Sequence, residues 1–177
     1  MKKRNSRSQP AWTDVKAKLG GLDRLGLIGL IQDLYAFQKD NQTFLHTRFG
    51  LGEDVLKPYK ETLERWLSPD VFRNQNTSVA KAKQAISDYR KAVGDTAGLA
   101  ELMVFYCECA AGFSSEFGVD EGSLDALVRT FERALEIARQ LPAADRDALI
   151  LRLDHVRAIS HDLGYGIGDT MDDLLAG

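Results

Sequence analysis

Glu108 interrupts the most apolar stretch of the chain, LAELMVFYCECAAGFSSEF over Leu99–Phe117. A carboxylate held in such a segment loses hydration, which raises its pKa and suits it to general acid or base work. Winding the segment as a helix puts Glu101, Glu108, Gly112 and Ser115 on one narrow stripe, because steps of seven, four and three return to the same side. That stripe gives Glu108 a second use, facing water or pairing with an arginine from a neighbouring helix, and this structural use is the one the pattern favours. Glu108 is thus the buried-carboxylate candidate. No residue is assigned a catalytic role.

Cys107 and Cys109 flank it and could in principle join it in holding zinc. Structural zinc takes four convergent ligands, usually as C-x₂-C pairs, whereas helical positions two apart diverge and no second pair exists. The two cysteines read as small core hydrophobes. The three histidines are His46, His155 and His161. His155 and His161 are six positions apart, about 240° round a helix, so they share no face. No metal site and no cofactor are expected.

The segment Gly164-Tyr165-Gly166-Ile167-Gly168-Asp169 has the glycine density of a phosphate-cradling loop. Such loops follow a strand and open a helix, and the P-loop adds a lysine. Here a helix precedes, no lysine follows and aspartates dominate. The glycines instead supply positive φ for a turn that returns an acidic tail to the body of the fold, with Tyr165 and Ile167 as anchors. Tyr165 and Ile167 with Asp169, Asp172 and Asp173 form the candidate interaction surface.

The elements that carry these residues all read as helices. Residues 22–37 follow the helical period through Leu22, Leu25, Ile28, Ile31, Leu34 and Tyr35, and a bend is expected near Asp40-Asn41. Residues 54–67 form the next helix, with Pro58 in its first turn. Ser78–Val93 is the clearest amphipathic helix, with Val79, Ala82, Ile86, Tyr89 and Val93 on one stripe. The central apolar helix covers about 97–117 and ends at Gly118; Asp120 or Ser123 caps its successor. Pro142 separates that helix from the last long one, and a short turn is expected over Asp169–Leu175. No period-two strand pattern occurs. The expected fold is all-α, a single-domain helical bundle of about six main helices around the central one, over residues 13–177. Residues 1–12 form a flexible basic arm and 164–177 a glycine-rich acidic tail.

Composition narrows the function classes. The chain has 177 residues, 44% hydrophobic and 28% charged, which suits one globular domain with a real core. Two cysteines in one helix provide no disulfide framework, and the basic N-terminus lacks an apolar follow-on, so a cytoplasmic protein is expected. The carboxylates at 101 and 108 break the central segment below the length of a membrane span, so no membrane partner is expected. Net charge is −3, yet residues 1–18 carry six Lys/Arg against one acid and residues 162–177 carry four Asp and no base. A basic arm of this kind could add phosphate contacts to nucleic acid. Lys83 and Arg90, which share a face of the 78–93 helix, read as its solvated flank.

The segments VAKAKQAISDYRKAV, LAELMVFYCECAAGFSSEFG, DALVRTFERALE and LGYGIGDTMDDLL resemble a family of small bacterial all-helical proteins of unknown function. The N-terminal LGLIGLIQDLYAFQKDNQTFL is similar in pattern. The resemblance spans most of residues 20–175 and implies a compact helical domain. It brings no activity, cofactor or site residue. The residues point first to a non-catalytic interaction or scaffold module, working through an unknown protein partner or self-association. A nucleic-acid-associated protein using the basic N-terminal half is the second reading. A small hydrolase or metal enzyme around Glu108 and a histidine is the third.

Overall fold

Local capping fixes most of the chain's punctuation. In the computed structural model, which describes residues 9–177, these residues form nine α-helices and two short 3-10 turns and no strand. The all-α class is as the sequence predicts. The nine helices exceed the six main ones because two short helices and a broken one add to the count. The arm expected over 1–12 lies mostly outside the described residues.

The described residues divide into two compact units, 9–45 and 46–177. The first holds α1 (Trp12–Leu19) and α2 (Arg24–Phe37), and α3 (Lys39–Arg48) begins within it. Ala11 precedes α1, and Asp14 within its first turn accepts from the Ala11 amide at 2.8 Å. Asp23 caps α2 by accepting from the Gly26 amide at 2.7 Å. Gln38 is extended and breaks the helix a little before the expected bend. The break persists because α2's orphaned carbonyls find other donors: Asn41 Nδ2 donates to Leu34 O at 2.7 Å and Gln42 Nε2 to Tyr35 O at 3.1 Å.

The second unit contains α4 (Lys57–Leu67), α5 (Val79–Ala92), α6 (Thr96–Phe117), α7 (Glu121–Ala138), α8 (Ala143–Ser160) and α9 (Ile167–Ala176). Ser78, Asp95 and Asp120 cap α5, α6 and α7 through side-chain oxygens, and Pro142 precedes α8. Gly118 closes α6 at φ +67°. α6 packs against α4, α5, α7 and α8. Leu102, Val104, Tyr106 and Cys107 on it are fully buried. Two carboxylates do not in fact take α6 below the length and composition of a membrane span, which it alone reaches among the described helices, and its neighbours cover more than half of that stretch. An apolar helix of this kind requires such a jacket.

Two glycines set close approaches. A Cβ on Gly98 would lie 2.0 Å from the Tyr89 hydroxyl, so α5 and α6 can meet there only around hydrogen. The same tyrosine donates a hydrogen bond to Asp95, the α6 cap. A Cβ on Gly168 would lie 2.5 Å from the His161 ring, which seats the start of α9 on the end of α8. α9 packs on both α7 and α8, and Arg139 Nη2 donates to the Leu174 and Leu175 carbonyls at its end.

Candidate functional site

The stripe on α6 meets cations from two other helices. Arg152 of α8 grips Glu108 with Nε and Nη2, each at 2.7 Å, and reaches Glu101 with Nη1 at 2.5 Å. Lys60 of α4 donates to the other Glu101 oxygen at 2.6 Å, with its ammonium 5.4 Å from the Phe105 ring centre. The heptad spacing of the glutamates makes this possible, since one guanidinium fork spans the two turns between them. The four side chains retain between 22% and 33% of their exposure, so the cluster is neither a surface pair nor a dry one.

Burial alone would raise the Glu101 carboxyl, but the hydrogen bonds from Arg152 and Lys60 outweigh it and hold it below the ordinary glutamate range. The bond to Glu108 leads in raising the Arg152 guanidinium, with desolvation opposing. Both Glu108 oxygens are occupied by Arg152. The arrangement therefore ties α4, α6 and α8 together as a charged clasp. A cleft of about 300 Å³ opens beside it, walled by Leu56, Ala97, Leu141 and Leu149, with Glu101, Arg152 and Asp145 as its charged groups. Neither a histidine nor a cysteine lines it.

Cys107 is buried and Cys109 half-buried, and both are free thiols. Burial pushes Cys107 well above the usual thiol range and Cys109 up to about 12, so neither is a thiolate near neutral pH.

The glycine segment makes a tight reversal with positive φ at Gly164, Tyr165 and Gly166. Of the candidate interaction residues, Ile167 is buried as the first residue of α9 and Tyr165 is 79% exposed. Asp172 accepts from Arg157 at 2.8 Å and lies 3.3 Å from His161 Nε2, while Asp169 lies 3.8 Å from His161 Nδ1. Asp173 is exposed. His161, Asp169 and Asp172 bring ligand atoms within 4.8 Å of one another. Arg157, bonded to both Asp154 and Asp172, already supplies a cation at that position. The group reads as an ion-paired seam between α8 and α9.

Sequence reasoning found Glu101 and Glu108 but not their partners, which lie 41, 44 and 51 positions away along the chain. The only sequence signal for Arg152 is its isolation in an otherwise apolar stretch, LILRL, on α8. No protein-family model, curated protein or solved structure matches the chain.

Proposed function

We propose that this chain is a non-catalytic helical interaction module that acts by self-association, with α2 of a second copy covering α2 of the first. The observation that supports this reading is the exposure of an apolar helix. α2 has no buried residue; Tyr35 is half-buried, and the exposed fractions of its other large side chains run from 36% at Leu27 to 75% at Leu25 and Phe37. A helix that is apolar on nearly every side belongs inside a bundle or in lipid.

Lipid suits it poorly. Fourteen residues rise about 21 Å, short of the roughly 30 Å hydrocarbon core. An interfacial helix keeps one strongly polar face in water, whereas the half of α2 that carries Arg24, Gln32 and Asp33 also carries Leu25 and Ile28. A second copy supplies what is missing. At roughly 200 Å² per large apolar residue, the exposed parts of Leu22, Leu25, Ile28, Leu30, Ile31, Leu34 and Phe37 amount to on the order of 800 Å². These side chains lie on every side of the helix, so two-fold pairing covers only the part that faces the partner, and the roughly 800 Å² per partner of a standard interface is its upper bound. Two-fold pairing makes the surface its own complement.

The test is sedimentation equilibrium of the full chain across a range of concentration. A concentration-dependent dimer is expected, together with a monomer of unchanged helical content when Leu25→Asp and Ile28→Asp are combined. A wild-type chain that stays monomeric at high concentration would overturn the reading. So would a dimer indifferent to the double substitution.

A further inference from the structure

A second cleft, of about 230 Å³, lies where α5, α6 and α7 meet, away from the charged clasp. Its floor is Ile86, Leu99 and Met103, and its rim is four cations: Lys83 and Arg90 from α5, Arg129 and Arg133 from α7. Ser87 adds a hydroxyl, and no carboxylate lines the cleft. We propose that this cleft binds a small organic anion, a carboxylate or phosphate ester carried on an apolar body of about ten non-hydrogen atoms. The proposal does not rest on self-association through α2.

Charge and shape together set the ligand class. Lys83 and Arg90 have no ionic partner among the described residues. Arg129 is held only by Asp125 at 3.9 Å, and Arg133 by Glu136 at 2.6 Å, both on its own helix and both exposed pairs. Exposed pairs of this kind are worth about 0–1 kcal/mol, so an incoming anion can recruit both guanidinium groups. A concave wall of low polarity concentrates the field of the four cations over the floor. Arginine forks suit carboxylate and phosphate oxygens, and methionine adapts its shape to an apolar body. A volume near 230 Å³ is about seven or eight water volumes, which sets the ligand's size. A nucleic-acid strand fits less well, since no aromatic ring lines the cleft to stack a base.

The test is calorimetric titration of the full chain at low salt with hexanoate, hexyl phosphate, inorganic phosphate, hexanol and a single-stranded oligonucleotide. Hexanoate or hexyl phosphate is expected to bind at least about tenfold more tightly than inorganic phosphate or hexanol, because only the amphipathic anions use both floor and rim. Arg90→Gln and Arg133→Gln, both exposed positions, should each weaken that binding by about tenfold. Met103→Gln should weaken hexyl phosphate and leave inorganic phosphate unchanged. Equal binding of hexyl phosphate and inorganic phosphate would overturn the proposal, as would affinities untouched by the arginine substitutions. Binding of the oligonucleotide alone would also overturn it, in favour of a polyanion surface.

Discussion

Arg152 serves two half-buried glutamates at once, so its removal does more than delete a contact. Arg152→Ala leaves Glu108 without its guanidinium and Glu101 with Lys60 alone. Breaking a fully buried pair costs about 3–5 kcal/mol and an exposed one about 0–1, so at these exposures a loss of about 2 kcal/mol is expected. The pH dependence has a definite sign. A depressed Glu101 stabilises the fold fully above the ordinary glutamate pKa of about 4.3, and that gain is lost as pH falls through its lower folded value. The deficit of the variant should accordingly be complete at neutral pH and shrink below about pH 4, as read from urea midpoints across pH. Tyr106 gives the opposite case. It is fully buried, and its hydroxyl has no hydrogen-bond partner among the described residues. Burial raises its pKa against a contact with the Thr130 hydroxyl, which is itself donated to the Ala126 carbonyl, so Tyr106 stays a neutral phenol poorly compensated for the water it has lost. Tyr106→Phe is expected to be stabilising by about 1 kcal/mol, as a higher urea midpoint at unchanged slope. Destabilisation would show that the hydroxyl is satisfied in solution.

Helices were the legible part of this chain because their signals are local. Ser78, Asp95 and Asp120 each sit where a capping oxygen is needed, and each caps its helix. The stripe of Ala82, Ile86 and Tyr89 on α5 is buried, while Val93 at its end is 40% exposed. The charged clasp was half legible: a seven-residue step places Glu101 and Glu108 on one side of α6, but which cation meets them depends on how α4 and α8 pack. Arg129 and Arg133, four positions apart on α7, give no sequence signal of a shared cleft, because the cleft exists only once α5 lies beside them. The segment LGLIGLI in α2 was the least legible, because a core helix and an uncovered one have the same sequence pattern. Only its exposure in the folded chain separates them.

Across the whole molecule, the two units carry very different amounts of packing. α6 is jacketed by α4, α5, α7 and α8, whereas the described residues of the first unit have far less packing. α1 and α2 contain no buried residue, and isolated helices shorter than about 12–15 residues are marginal in water. A single copy should therefore show slow hydrogen exchange through α6 and fast exchange through α1 and α2. If α2 is covered by a second copy, its exchange should slow as protein concentration rises, since association protects only the paired state. Combined Leu25→Asp and Ile28→Asp should abolish that concentration dependence while leaving α6 protected, because neither position belongs to the core built around α6. Strong protection of α2 in dilute, monomeric protein would sink the idea, since it would mean that the helix is already covered within one chain. Protection that appears only with concentration would tie the folding of the first unit to assembly, and assembly would then be the step at which this module becomes complete.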